Sequence, residues 1–458
     1  MKKKIFAVAA AGALTAATAV PALALDNEFH GMFRVNGFIS NFADGGSGAT
    51  RITAQDPKTR NFLEQRARLL YMAKANDDLK LITHFEIDST WGKSSYVVGR
   101  SNDGGALGAD SVNIETKNVY LDFNIPSTPL NVKVGIQPIS DSYKGVFINA
   151  DAAAVLAAAK MGDATVALGF ARLDDAEAGT GAFPGTRGSA TTPGKATRDL
   201  YIVDGKYNIS KDLKVGGSYY ALLADQNDTN LNFALHTVGV NAEYKFDPVT
   251  IDGFLLYQRG RTSGTAKVDF GGWAANATAK MKVGPGTLKT SFLYASGEQN
   301  ANPDNSSYMG ITNETSAANG EHSFYESEMM IMFRNKYNIG DRALVYNVQN
   351  VIGGFVGYNA NITSKAFAIA NVGFVAADKD NNTYGNARVT GDAGHKSKYL
   401  GTELNAEVGY KVFDNLTASV QGAYVILGDY FKDTAGTAAN PEDPRNPYLT
   451  RVMLNYAF

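Results

Sequence analysis

His84 and Glu86, two positions apart, put an imidazole and a carboxylate on one side of an extended segment, the spacing that metal binding or acid–base work would use. The other four histidines, His30, His236, His322 and His395, are scattered along the chain. Because His84 also sits among Lys80, Glu86 and Asp88, it reads better as one polar group on a charged wall. Gly45-Gly46-Ser47-Gly48 lacks the strand-to-helix setting of a phosphate cradle and reads as loop composition. There is no G-x-S-x-G, no P-loop lysine and no H-E-x-x-H, and the absence of cysteine removes thiolate nucleophiles, thiolate zinc sites, iron–sulfur clusters and covalent haem attachment. The expectation is a protein that is not an enzyme and carries no metal or other cofactor.

The charges have a different use. Arg34, Arg66 and Arg68 fall on neighbouring extended segments and form a basic ladder, with Lys80 and Lys133 close by and Glu86 and Asp88 partly neutralising it. Facing water inside an enclosure, such a ladder sets up a transverse field that orients dipolar solutes and biases ion passage. The bland alternative is that these charges pair across strands and only solvate a wall. Asp141 and Asp151 flank a short connection and are weaker candidates for a constriction.

The segments that must position these groups alternate with a period of two. From Leu79 to Asp88, Leu79, Leu81, Thr83, Phe85 and Ile87 share one face, while Lys80, Ile82, His84, Glu86 and Asp88 share the other. The preceding segment alternates likewise, and Asn76-Asp77-Asp78 is a turn between the two. Pairing Ala75 with Leu79 puts Leu69 beside Phe85 and Ala73 beside Leu81 on one face, and Arg66 beside Asp88 and Arg68 beside Glu86 on the other. One register satisfies both faces.

The unit recurs. Short turns fall at 76–78, 126–129, 161–163, 210–212, 247–248, 283–286, 363–365 and 413–415, and longer polar connections run over 43–61, 89–112, 174–199, 297–342, 377–397 and 428–447, with shorter ones near Pro138, Ala224 and Gly260. Alternating short and long connections place all the short ones on one rim, the asymmetry of a transmembrane antiparallel β-barrel with short periplasmic turns and long extracellular loops. Eight turns and nine loops call for about 18 strands, within a range of 16–20. A soluble sandwich also alternates, but its charged faces look outward and its strands are shorter. Residues 1–24 read as a cleaved signal peptide: Met1-Lys2-Lys3-Lys4, an apolar run to about Ala19, and Ala22-Leu23-Ala24 as the cleavage site, leaving 25–458 as a single barrel domain. Three lysines and no acids leave with the leader, taking the formal charge from -2 to -5. That balance excludes a nucleic-acid partner, which needs clustered cations.

The chain ends YLTRVMLNYAF, with Val452, Leu454, Tyr456 and Phe458 on the apolar face. A last strand in lipid must pair with the first, over 29–42, because an open edge leaves its backbone groups unsatisfied. This end resembles the closing strand of Gram-negative outer-membrane proteins, in which those positions serve as the assembly signal.

With the leader, EQRARLLYMAK at 64–74 and KVGIQP at 133–138, the end makes the whole chain resemble the outer-membrane porins, and more narrowly the porin-like channel proteins of metal-reducing bacteria. The resemblance implies the cell outer membrane, a water-filled channel for passive diffusion of small hydrophilic solutes and ions, a homotrimer, and contact with the lipid bilayer, lipopolysaccharide and the barrel-assembly machinery. In familiar trimeric porins a longer loop after the fifth strand folds inward. Here that connection, 138–147, is short, and the longest is 297–342. Two further readings stand beside the porin: the sheath of a porin–cytochrome electron-transfer conduit, and a surface-binding protein presenting the 297–342 and 428–447 loops. A plug-gated transporter is disfavoured because the first strand begins close to Leu25.

Overall fold

The computed structural model describes residues 25–42, 59–93, 103–107, 114–175, 194, 197–226, 231–263, 267–298, 306–312, 322–339, 343–345, 347–380 and 395–458. The leader with Ala22 and Ala24, the Gly45–Gly48 run and much of the long polar connections lie outside the described residues.

Among the described residues eighteen long strands form one ring. They are β1 (Asp26–Ser40), β2 (Arg60–Asn76), β3 (Leu79–Lys93), β4 (Glu115–Asn124), β5 (Leu130–Ser140) and β6 (Asn149–Met161). Then come β7 (Ala164–Asp175), β8 (Thr197–Asn208), β9 (Leu213–Gln226), β10 (Leu231–Phe246), β11 (Val249–Thr262) and β12 (Asp269–Val283). The last six are β13 (Gly286–Ala295), β14 (Val351–Asn361), β15 (Ala366–Ala376), β16 (Tyr399–Phe413), β17 (Leu416–Leu427) and β18 (Tyr448–Ala457). Each is antiparallel to its chain neighbours, and β1 closes the ring on β18 from Met32 opposite Ala457 to Ser40 opposite Leu449. A closed ring leaves no edge, which is what lets strands cross lipid.

The turns fall where the residue pattern places them, and so does the register. Leu69 faces Phe85, Ala73 faces Leu81, Arg66 faces Asp88 and Arg68 faces Glu86; a bulge between Lys74 and Asn76 then sets Asn76, in place of Ala75, against Leu79. The alternation sorts the two faces. Phe29, Val238, Leu255, Val420 and Val452 look outward and are 45–59% exposed, whereas Thr237, Gln258, Ser291 and Gln421 look inward and are buried. Exposed apolar side chains continue around the outside of the whole ring, from Phe33 on β1 to Leu454 on β18.

What buries the inward groups is the chain itself. In the connection between β13 and β14 the described residues, 306–312, 322–339, 343–345 and 347–350, turn into the barrel and bring Phe324, Met329, Met330, Ile331, Met332, Phe333, Leu344 and Val345 to the inside. The short connection 141–148 turns inward as well, and Tyr143, Val146, Phe147 and Ile148 are fully buried. Its compactness comes from Asp141, which accepts backbone N–H groups of Tyr143 (2.7 Å), Gly145 (2.8 Å), Phe147 (2.6 Å) and Ile148 (2.8 Å). Only a glycine at position 239 of β10 leaves room for the Tyr143 ring, since a Cβ there would lie 2.4 Å from its hydroxyl. The two inward connections join each other through Ile311 N–H to the Phe147 carbonyl (2.8 Å) and Ser323 N–H to the Gly145 carbonyl (2.9 Å). An apolar centre results inside the ring, with Phe147 on Tyr220 (4.9 Å) and Phe324 and Phe333 on Phe355 (6.0 and 5.5 Å).

Candidate functional site

Period-two alternation on β1 to β4 turns the charged residues named from the sequence toward the lumen, and the register brings opposite signs together. Arg66 holds Asp88 with two bonds (2.7 and 2.6 Å) and reaches Glu86 at 3.1 Å; Arg68 is paired with Glu86 through Nε. Lys80 stands 3.4 Å from Asp122. His84 meets Asn118 through Nδ1 at 3.2 Å, away from Glu86, which is taken by the two arginines. Arg34 donates to Asn455 (3.1 Å) and lies 5.1 Å over the Tyr337 ring. So Arg34, Arg66, Arg68, Glu86 and Asp88 form one cluster, and its basic members are largely matched by acids on the adjacent strand. Asp141 is apart from it, inside its own turn.

The inward segment seats on this cluster. Asn36 Nδ2 donates to the Tyr337 carbonyl (3.0 Å), Arg66 to the Ile339 carbonyl (3.4 Å), and Ile339 N–H to Glu64 (3.4 Å). Arg451 on β18 is fully buried and donates to Asn338 (2.7 Å) and Asn335 (3.1 Å) while also binding Gln421. Glu403 on β16, also fully buried, takes the backbone N–H groups of Met330 (2.7 Å), Ile331 (3.0 Å) and Met332 (2.7 Å) and the Asn405 amide (2.8 Å). Three consecutive donors on one carboxylate satisfy a charge that would otherwise be costly to bury. Arg451 and Glu403 were missed in the sequence reading; the only signal was their place on the polar face of a strand.

The opposite wall is open. A cavity of about 590 Å³ lies between β7–β12 and the inward connections, lined among others by Lys206, Lys214, Glu243, Asp252, Lys280 and Glu326. Lys280 is 2.9 Å from Glu326 and 4.0 Å from Asp252; Lys214 is 3.3 Å from Glu243. Lys144, brought in by the short connection, donates to Thr278 (2.7 Å) and pairs with Asp252. A second cavity of about 280 Å³ shares Ser142 and Lys206 with the first and reaches Lys133 on β5. Both signs of charge therefore face water along one side of the lumen, an arrangement that offers successive weak partners to ions and polar solutes without a deep trap. Of the charged residues named from the sequence, Lys133 lines this side.

Three solved structures from Pseudomonas aeruginosa share the fold. OccK2 (OpdF) in complex with glucuronate matches with 13% identity and a TM-score of 0.52, the outer membrane protein OpdK with 10% and 0.53, and OpdK with vanillate with 11% and 0.52. Each comparison covers 94% of this chain and 98% of the other. At these identities the likeness is one of fold. No protein-family model and no curated protein sequence matches the chain.

Proposed function

We propose that this protein is a channel of the cell outer membrane that admits small hydrophilic solutes and ions by passive diffusion. The observation that carries the reading is the open cavity of about 590 Å³ beside the inward connections, lined by Lys206, Lys214, Lys280, Glu243, Asp252 and Glu326, within a closed ring whose outside is apolar. A ring of eighteen strands is too wide for its own side chains to fill, so a narrowed wet passage is its natural content. The named neighbours support the outer membrane and point to small organic anions as solutes, since glucuronate and vanillate are both carboxylates. The lysines on β8, β9 and β12 are suited to such anions.

Kinship with the porin-like proteins of metal-reducing bacteria, a homotrimer, and insertion by the barrel-assembly machinery through Val452, Leu454, Tyr456 and Phe458 belong to the same reading. A cytochrome sheath would need lumen space that the described inward residues, 322–339 and 343–345 among them, take up.

The test is reconstitution of detergent-purified, unheated protein in planar bilayers. Stepwise ohmic openings are expected, with a conductance that falls when glucuronate enters. A silent bilayer from correctly folded protein refutes the channel, and haem in that preparation would turn attention to the sheath.

A further inference from the structure

Lys280 on β12 and Lys289 on β13 are direct cross-strand partners on the inner face of the wall. Like charges set opposite one another repel, so the wall builds a place that is favourable only with an anion between the two ammonium groups. The chain supplies that anion itself. One carboxylate oxygen of Glu326, on the single helical turn Tyr325–Ser327 of the inward segment, lies 2.9 Å from Lys280 Nζ and 3.4 Å from Lys289 Nζ. Neither approach has the geometry of a hydrogen bond.

The surrounding charges bracket this seat without filling it. Lys289 also meets Glu328 at 3.1 Å, and Lys280 lies 4.0 Å from Asp252, which is paired with Lys144. Glu243 stands further along, between Lys214 (3.3 Å) and Lys245 (3.2 Å). Lys280 is 40% exposed, and with Glu326 it lines the cavity of about 590 Å³, so the seat opens onto the wet side of the lumen. The backbone beside Glu326 is fastened by other contacts: Asn405 Nδ2 donates to the Glu328 carbonyl (3.2 Å), and Glu403 holds the N–H groups of 330–332. The Glu326 side chain can therefore turn off the lysines about its own bonds while the segment stays in place.

We propose that Glu326 is a tethered counter-ion, resting on the Lys280–Lys289 seat in place of a solute and displaced by a passing carboxylate, and that it thereby sets how tightly the channel holds its anions. Withdrawing Glu326 takes one negative charge from between the lysines, and one carboxylate restores it. A free carboxylate can align its oxygens with both ammonium groups, which the tethered one does not. The proposal rests on the reading of the protein as a channel that passes small organic anions.

The experiment is planar-bilayer recording of the full-length protein with glucuronate as the probe, comparing wild type, Glu326→Asp, Glu326→Gln and Glu243→Gln. Two quantities are read: the glucuronate concentration that halves the chloride current, and the reversal potential in a salt gradient. Glu326→Asp keeps the charge but is too short to rest between the lysines, and its half-blocking concentration is expected to fall about fivefold with the reversal potential unmoved. Glu326→Gln should show the same fall together with a shift toward anion preference. Glu243→Gln removes an equal charge from the same cavity without uncovering the seat, and should move the reversal potential alone. Half-blocking concentrations that stay at the wild-type value in both Glu326 variants, or that fall as far in Glu243→Gln, overturn the proposal and leave the channel standing. Loss of conductance in both Glu326 variants also overturns it, making Glu326 a fastening of the inward segment. A silent wild type refutes the channel and the proposal with it.

Discussion

Glu403 of the barrel wall accepts the backbone N–H of Met330 at 2.7 Å, and through that contact and its two neighbours a segment distant in sequence is fastened to the inside of the ring. Whatever passes through the lumen passes beside a segment held in this way.

Glu403→Ala leaves three buried N–H groups without an acceptor. The seat of 322–339 should weaken by about 3 kcal/mol or more, while the barrel, held by its own ladder, persists. Larger and noisier single-channel steps are expected, with new protease cleavage inside 296–350. Unchanged conductance and unchanged digestion would show that the carboxylate is not the fastening.

Gly31 and Phe458 seal the ring. Their backbones exchange bonds of 2.9 and 3.0 Å, and a Cβ at position 31 would lie 2.6 Å from the Phe458 ring and 2.4 Å from the Arg68 carbonyl. Because a carbonyl cannot swing aside, Gly31→Val should cost about 1–3 kcal/mol or more through strand displacement. The yield of heat-modifiable barrel on unheated gels should drop. A normal yield would mean that closure tolerates the shift.

Acid should loosen the inward segment through His322. Burial first and the Arg334 charge second hold its imidazole down to about 3 from the ordinary 6.5, and the Val348 N–H donates to Nδ1 at 3.3 Å, which requires a neutral ring. The released segment would bind a proton at a pH where the seated one does not. Seating is therefore fully present above about 6.5 and weakens by about 1.4 kcal/mol per unit as the pH falls toward 3. Reversible gating noise is expected at pH 4 and should be reduced in His322→Asn. Identical pH profiles for the two proteins would exclude His322 as the cause.

The two charged walls should answer differently to substitution. Lys206→Glu with Lys280→Glu, on the open side, should shift the reversal potential toward cation preference while leaving folding intact. Arg66→Gln removes the partner of buried Asp88, whose side chain is 6% exposed, and should cost about 3 kcal/mol. Its effect should appear as reduced thermal stability with little change in selectivity. A reversed pattern would place the passage on the Arg66 side.

Strand positions, the register that sets Arg66 on Asp88, the strand number and the closure of β1 on β18 are decided by the sequence alone. The reason is local: side chains alternate with period two, so a one-residue slip would turn every apolar group from lipid to water, and turn residues set where each strand reverses. The fate of 296–350 has no such local cause. It carries no period, and its seat is made by Asn36 on Tyr337, Arg451 on Asn338 and Glu403 on Met330, pairs that lie far apart along the chain. The same holds for 141–148, whose inward turn depends on the space that Gly239, on a distant strand, leaves for Tyr143. Which charges face water follows from where those segments sit. The polar face of a strand shows only that a residue points inward, and the inward segments decide whether it becomes a fastening, as Arg451 and Glu403 do, or part of an open wall, as Lys206 and Lys280 do.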